Sequence, residues 1–559
     1  MRLKVLFFLL ISLTPAISQN INVNNDFNYS FLRNSILLGE IKTNFSLNIR
    51  PLDNNFFSEF FNDQFRKIYN NQSNSIEIKS MGIDYFIEYN SNHPYNRNNG
   101  TMLPNRGYQH IISPGIYLAF GPLAIQFKPE HHYSQNLNFD TFWDGHYPEI
   151  WAKRYKLWNQ IDMPERHGEK SHNKTTLGQS SIKLNWKNLS IGLSNENIWW
   201  GPSIRNSIMM SNHAQGFKHL TFNTRKPINT AIGDFEWQFI TGRLENSGFK
   251  PTGHEKTFAG TKLYIPKINQ SLEEDDWRYF QGYVISFSPK IINGMSIGFI
   301  RWAQMYSALI KGRYTWINGN ITYFPVFSTL FRKDNSNVDV EKQTNEAVGI
   351  FFKWLWEDSK SEIYFEYHHN DSKMNIRDLL LDSDHSRAAT IGLQKIFNIK
   401  DENFIFSWEW TQMEQTGSRL LRNAGSWYQH YQVFDGYTNK GEVLGSSVGP
   451  GSNAHYFSLN RIRNKELIGI GLEIIDNDND FYHEAFASAK DFRRYWKDIN
   501  LHLKYNKNFK HFNLSSNLVY IRSLNYQWEL DDYATPYYHA GRDVNNFHLS
   551  LKLTYFGNW

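Results

Sequence analysis

The sequence predicts an all-β chain, a transmembrane antiparallel β-barrel of about 18 strands with short helices plugging or capping one end and long loops at the other. Three observations carry the prediction. The final strand alternates: Phe547, Leu549, Leu551, Leu553 and Tyr555 take one face and His548, Ser550, Lys552 and Thr554 the other, and the register runs on to a terminal Trp559. The chain is polar on average, with a mean hydropathy of −0.56, yet 16% aromatic, with 18 Trp, 31 Tyr and 42 Phe. Beyond the N-terminus no stretch is apolar for the roughly 18 residues that a membrane helix requires. Only a closed barrel satisfies every backbone group in lipid without such a helix, and its alternating faces keep mean hydropathy low while collecting aromatics at the interfaces.

The elements follow in chain order. Residues 1–18 read as an export leader: Arg2 and Lys4 precede the apolar run 5–13, and Ala16-Ile17-Ser18 supplies small residues before a cut at Gln19. Residues 19–559 then form a single barrel domain. Removing the two leader cations from 59 Lys+Arg leaves 57 against 54 Asp+Glu, a balance too even to point to nucleic acid. Strands are expected at 36–49, 76–89, 111–120, 123–128, 235–241 and 257–265. Pairs joined by short turns are expected at 181–186 with 189–195, 282–288 with 296–302, 347–354 with 362–367, 389–396 with 404–410, 456–461 with 467–474, and 499–505 with 512–521. Between these pairs lie long segments such as 411–454 and 475–498. At ~10 residues per strand the barrel uses only ~200 residues, so more than half of the chain is loop, plug or helix.

Two segments read as helices. In 56–69, Phe57, Phe60, Phe61, Phe65 and Ile68 recur at helical spacing; 148–161 starts on Pro148 and carries Ile150, Trp151, Tyr155 and Trp158. They are expected to close one end, because a wide barrel left open is a pore.

The terminal run to Trp559 resembles the assembly signal of bacterial outer-membrane barrels. Counting back from it places the short turns in the periplasm and the long loops outside the cell, and implies barrel assembly machinery and outer-membrane lipid as partners.

Enzymatic chemistry finds little footing. With 0 Cys there is no thiol nucleophile and no thiolate metal site. Glu273, Glu274, Asp275 and Asp276 form an acidic run in a loop, which reads as a solvated surface rather than the paired carboxylates of a glycosidase cleft. Asp476, Asp478 and Asp480 alternate like part of a calcium loop but lack its sixth-position Gly. His131-His132 and His368-His369 are neighbours on strands, so their side chains diverge. No catalytic residue, metal or cofactor is expected.

One region is more specific. The run Asn195-Glu196-Asn197-Ile198-Trp199-Trp200-Gly201-Pro202, then Met209 to Leu220, Asn223-Thr224-Arg225-Lys226-Pro227, and Gly233-Asp234-Phe235-Glu236-Trp237 leading to Gly242-Arg243-Leu244, resembles the capsule assembly Wzi family of outer-membrane proteins. A second stretch, Gly436-Tyr437-Thr438 through Val443-Leu444-Gly445 to Gly449-Pro450-Gly451-Ser452-Asn453, is similar to the branch of that family with long surface loops.

The resemblance implies an eighteen-stranded surface lectin, with helices at its periplasmic end and outer loops that retain capsular polysaccharide. Sugars present hydroxyls and weakly polar CH faces, so aromatic platforms beside Asn, His and Arg are the expected contacts. The first run offers Trp199, Trp200, Arg205, Asn212, His213, Arg225 and Lys226. The competing view of these is structural: a Trp girdle with a turn, and Arg225-Lys226 either contacting lipid headgroups or paired with Glu236 and Glu245 inside the barrel. Arg419, Arg422, Trp427, Tyr428 and His430, in the longest outer loop, are expected to face outward, while 445–451 shapes backbone. Partners are then capsular or other surface polysaccharide and polysaccharide export components. The alternative functions are an open porin or substrate-specific channel, and a surface glycan hydrolase.

Overall fold

Alternation with a period of two becomes a closed wall in the computed structural model, which describes residues 20–23, 26–57, 67–71, 76–264, 277–308, 326, 344–370, 376–463, 465–487, 493–530 and 541–557. Among these residues eighteen antiparallel strands make one barrel. They are β1 (Ile76–Asn90), β2 (Gly107–Phe120), β3 (Leu123–Phe127 continued by Glu130–Ser134), β4 (His172–Thr176 continued by Ser181–Trp186), β5 (Leu189–Ser194), β6 (His219–Thr224), β7 (Gly233–Leu244), β8 (Arg278–Pro289) and β9 (Met295–Tyr306). The circuit goes on through β10 (Asn345–Trp356), β11 (Ser361–Asn370), β12 (Arg387–Ile399), β13 (Glu402–Gln412), β14 (Asn453–Arg463), β15 (Glu466–Asp476), β16 (Lys497–Asn508), β17 (Phe512–Leu524) and β18 (Val544–Tyr555). β18 pairs with β1 from His548↔Asn90 to Tyr555↔Ile83, which leaves no free edge.

The connections alternate in length. Turns such as 187–188, 400–401 and 509–511 share one end with the exit from β18. Lys400 and Asp401 both take positive φ, 48° and 65°, the turn whose twist matches that of an antiparallel pair. Loops 91–106, 135–171, 195–218 and 413–452 share the opposite end. The outer face is apolar: Leu193, Leu503 and Phe547 are 64%, 58% and 53% exposed, and lipid is the medium that makes such a surface favourable.

The expected strands 76–89, 111–120, 123–128 and 235–241 and the expected short-turn pairs fall within barrel strands. Two expected strands do not. Residues 36–49 hold the end of a helix, α1 (Asp26–Leu37), followed by irregular chain; 257–265 contributes only the small hairpin Thr257–Phe258 with Thr261–Lys262, off the barrel. In the first case apolar alternation marks a helix packed in the lumen: Leu37 packs with Ile396, Ile405 and Ile462 at the short-turn end. In the second, the strand is too short and exposed to be held.

Of the helix expected at 56–69, residues 58–66 lie outside the described residues, Phe56 and Phe57 end the 3-10 turn Asn54–Phe57, and Lys67–Asn71 is a strand paired with β1. The second expected helix is present as α2 (Pro148–Trp158), with Pro in the first turn. It packs among the long loops, so the short-turn end is filled instead by α1, which the periodicity did not single out. The leader and Trp559 lie outside the described residues.

The main apolar core is inside the barrel rather than on its outer surface. Trp158, Trp200, Trp302, Trp427, Trp528, Tyr428 and Tyr437 are all under 2% exposed, and Trp302 stacks on Tyr437 at 3.9 Å between ring centres.

Candidate functional site

Loop 195–218 leaves β5 and folds inward, and the reason is written on the wall. Lumen-facing glutamates accept its backbone N–H groups: Glu366 Oε1 accepts from Ser203 N at 3.0 Å, Glu409 Oε2 from Ile204 N at 2.9 Å and Arg205 N at 3.2 Å, and Glu409 Oε1 from Asn206 N at 2.7 Å. A buried carboxylate is costly unless donors satisfy it, and an inward loop carries N–H groups with the complementary need. The plug uses the same device, with Ser46 N donating to Glu236 at 2.9 Å and Arg33 of α1 paired with Glu362. Gly201 makes the descent possible: its φ is +111°, and a Cβ there would lie 2.4 Å from Glu366 Oε1.

Trp199 and Trp200 are neither platforms nor girdle. They form a two-residue strand paired with Ile49–Arg50 of the plug, and Trp200 Nε1 donates to Gln238 at 2.7 Å. Arg205 donates to Glu473 at 2.5 Å and to the Tyr95 hydroxyl at 2.9 Å. Asn212 is buried and donates to the Asn98 carbonyl at 2.8 Å; His213 is buried beside it, and burial and the nearby Arg97 push its ring down to about 3.

Arg225 and Lys226 sit at the other end of the barrel, in the short connection from β6 to β7. Arg225 pairs with Asp53 at 2.8 Å rather than with Glu236 or Glu245, and Lys226 is exposed with Nζ 5.9 Å from the Phe56 ring centre. The stretch expected to face outward does so only in part. Arg422 is partly exposed and Arg419 pairs with Asp480 at 3.1 Å, but Trp427 and Tyr428 are buried, with the Tyr428 hydroxyl donating to the Ile208 carbonyl at 2.8 Å. His430 turns inward, its Nδ1 accepting from Gln432 N at 3.2 Å and Val433 N at 2.9 Å. Burial pushes that ring down to about 4. Gly445 lets the two loops touch, since a Cβ there would lie 2.0 Å from the Ile208 carbonyl oxygen.

The first run and the longest loop are thus two halves of one seal across the long-loop end. Ser211 N donates to Leu444 O at 2.8 Å and Tyr437 Oη to Met209 O at 2.6 Å. Loop 91–106 completes it, with Asn98 donating to Arg205 O at 2.7 Å and Gly100 N to Asn212 O at 2.9 Å. Asp478 and Asp480 also have structural partners: Asp478 accepts from Phe481 N at 3.1 Å, and Asp480 from Gln415 N at 2.9 Å. Burial raises Asp478 to about 7 against the opposing charge of Arg154. Glu273, Glu274, Asp275 and Asp276 lie outside the described residues.

Below this seal a cavity of ≈ 270 Å³ remains between the plug and the wall of β16–β18, β1 and β2. Six cationic side chains line it, Arg33, Arg50, Arg97, Arg205, Lys504 and Lys552, against Asp84, Glu88 and Glu130. Most of these lie outside the motifs the sequence presents. Their signal is the plain polar half of an alternation, which every barrel strand shows.

A family model, "Capsule assembly protein Wzi", matches residues 113–481, about two thirds of the chain. The chain belongs to this family. Among solved structures, the Escherichia coli outer-membrane protein Wzi, described as involved in group 1 capsule assembly and as a carbohydrate-binding β-barrel, is similar with a TM-score of 0.58 at 11% identity. The match covers 96% of this chain and 99% of that one. Acinetobacter baumannii OccAB2 follows at a TM-score of 0.40 and 8% identity over 85% and 98% of the two chains, and Pseudomonas putida OprB at 0.35 and 10% over 89% and 95%. No curated protein matches the chain by sequence. The family match spans strands of the wall, the whole of loop 195–218 and loop 413–452.

Proposed function

We propose that this chain is a non-enzymatic outer-membrane barrel that binds capsular or other surface polysaccharide at its long-loop end, with that end outside the cell. The observation that carries the reading is the seal: the region matched to the capsule assembly family includes the inward loop and its covering loop, which cross the lumen and bury their large aromatics there. A channel would place that region along an open passage. The short turns fall at the end where the chain leaves β18, the arrangement of barrels whose chain ends in the periplasm.

The glycan then meets the outer surface of the seal. Tyr147 and Tyr431, 74% and 56% exposed, present aromatic faces there, and partly exposed Arg422 supplies a cation. Trp427, Tyr428, His213 and Asn212 act beneath them as support. Insertion by the barrel assembly machinery, and handover from export components, belong to the same reading.

Deleting the gene is expected to shed polysaccharide into the medium without stopping its synthesis; unchanged cell-bound polysaccharide overturns the reading. Tyr431→Ala with Arg422→Ala is expected to weaken binding to purified polysaccharide while the barrel stays folded. Release of reducing ends from that polysaccharide would instead mark a hydrolase.

A further inference from the structure

The cavity beneath the seal has features that closure of the lumen does not require. Register places polar side chains across neighbouring strands in two rows. Lys504, Asn517, Ser550 and Glu88 stand side by side on β16, β17, β18 and β1, and one step toward the short turns so do Asn506, Ser515 and Lys552. Adjacent strands are ~4.8 Å apart, so each row offers a ladder of donors and acceptors to a hydroxylated ligand. Neither Arg97 nor Lys504 has a carboxylate partner among the described residues: Arg97 donates to the Ser447 carbonyl and Lys504 to the Tyr456 hydroxyl.

The two ends of the cavity differ. Toward the long loops it meets buried Tyr95, Asn99 and Asn212, which belong to the seal. Toward the short turns it reaches Ser30, exposed on α1, and the partly exposed Asn506, Ser515 and Lys552. α1 packs Leu37 against β12–β14, away from the cavity wall of β16–β18, β1 and β2.

We infer that this cavity is a second saccharide site, entered from the short-turn end, that takes a terminal sugar unit carrying a carboxylate. Arg97 and Lys504, which have no carboxylate partner among the described residues, select the charge. The size selects a chain end, because ≈ 270 Å³ is below the ~300–1,000 Å³ of pockets that enclose larger ligands. The inference rests on the reading that the protein binds carbohydrate, and it adds a site on the opposite side of the seal from the outer one.

The chain has 0 Cys, so a single introduced thiol reports on the cavity alone. In the full-length barrel, Ser550→Cys is expected to react about tenfold faster with an anionic methanethiosulfonate than with a cationic one, as a positive cleft concentrates counter-ions. Tri-galacturonate should protect the thiol and maltotriose should not. Lys504→Gln with Lys552→Gln should abolish both effects while circular dichroism stays that of the folded barrel. Ser30→Trp should slow labelling, whereas Ser211→Ala, in the seal, should not change its rate. Faster labelling by the cationic reagent, equal protection by both sugars, or a rate indifferent to Ser30→Trp overturns the inference.

Failure here is separable from failure of the surface reading. Cells that retain polysaccharide while the thiol is unprotected overturn the cavity alone. Cells that shed none on gene deletion overturn the surface reading, whatever the cavity binds.

Discussion

Glu409 shows how one residue on the wall shapes the molecule. Its carboxylate accepts from three consecutive N–H groups of the inward loop and from the Tyr364 hydroxyl at 2.8 Å. Glu409→Leu removes the acceptor and strands buried donors, each worth about 1–3 kcal/mol when unsatisfied. The expected outcome is a lower denaturation midpoint and faster amide exchange at Ile204, Arg205 and Asn206, measured by hydrogen exchange; Glu409→Gln, which keeps a carbonyl acceptor, should lose less. His430 supplies a pH test. Its folded value of about 4 lies below its ordinary 6.5, so the folded state binds fewer protons. Its stabilising contribution is present above pH 6.5 and is lost as pH falls toward 4. Protonation also removes the Nδ1 acceptor, so the Gln432 and Val433 amides should lose protection between pH 7 and 4.5. Asp478 has the opposite sign: raised from 3.8 to about 7, it contributes stability below pH 4 that is lost as pH rises through 7. The Phe481 amide should therefore exchange no faster on acidification over the same range.

Among elements, the inward loop and α1 divide the closure of the lumen unequally. The seal joins the aromatic core from wall to wall, whereas α1 packs on one side and leaves a cavity beside it. Replacing residues 203–215 with a Gly-Ser linker is therefore expected to convert a barrel with no steady large conductance in planar bilayers into an open one. A variant that stays closed would show that α1 suffices. Much of this division was hidden in the linear chain. Trp199-Trp200-Gly201-Pro202 could be located by motif, but a Trp pair after a strand reads equally as girdle, platform or core. The choice belongs to Ile49–Arg50, about 150 residues away. Arg225 and Lys226 follow the same motif in sequence, and only the length of β6 carries them to the opposite end from Asn212.

At the scale of the whole molecule, barrel closure rests on alternation, and the insertion signal proposed for its last strand is tested there. Deleting Trp559 is expected to lower the fraction of the protein recovered in the outer membrane, assayed by fractionation, without altering the fold of the molecules that do insert. Strands were legible because a two-sided environment, lipid outside and polar lumen inside, writes a period of two directly into residue order. Leu549 and Leu551 alternate with His548 and Ser550 whatever fills the barrel. Rhythm was legible too, since short turns and long loops must alternate in a meander of antiparallel strands.

The sequence by itself determined the barrel, most of its strands, the two kinds of connection and the family, all of which depend on neighbours in the chain. Tertiary structure alone decided that the longest loop turns its aromatics inward, that Arg225 and Lys226 stand apart from the other motif residues, and that a cationic cavity survives beneath the seal. The physical reason is that loop direction is chosen by distant partners. A Trp or Arg carries the same chemistry to a glycan, a lipid interface or a buried carboxylate, and only the folded wall shows which of these it meets.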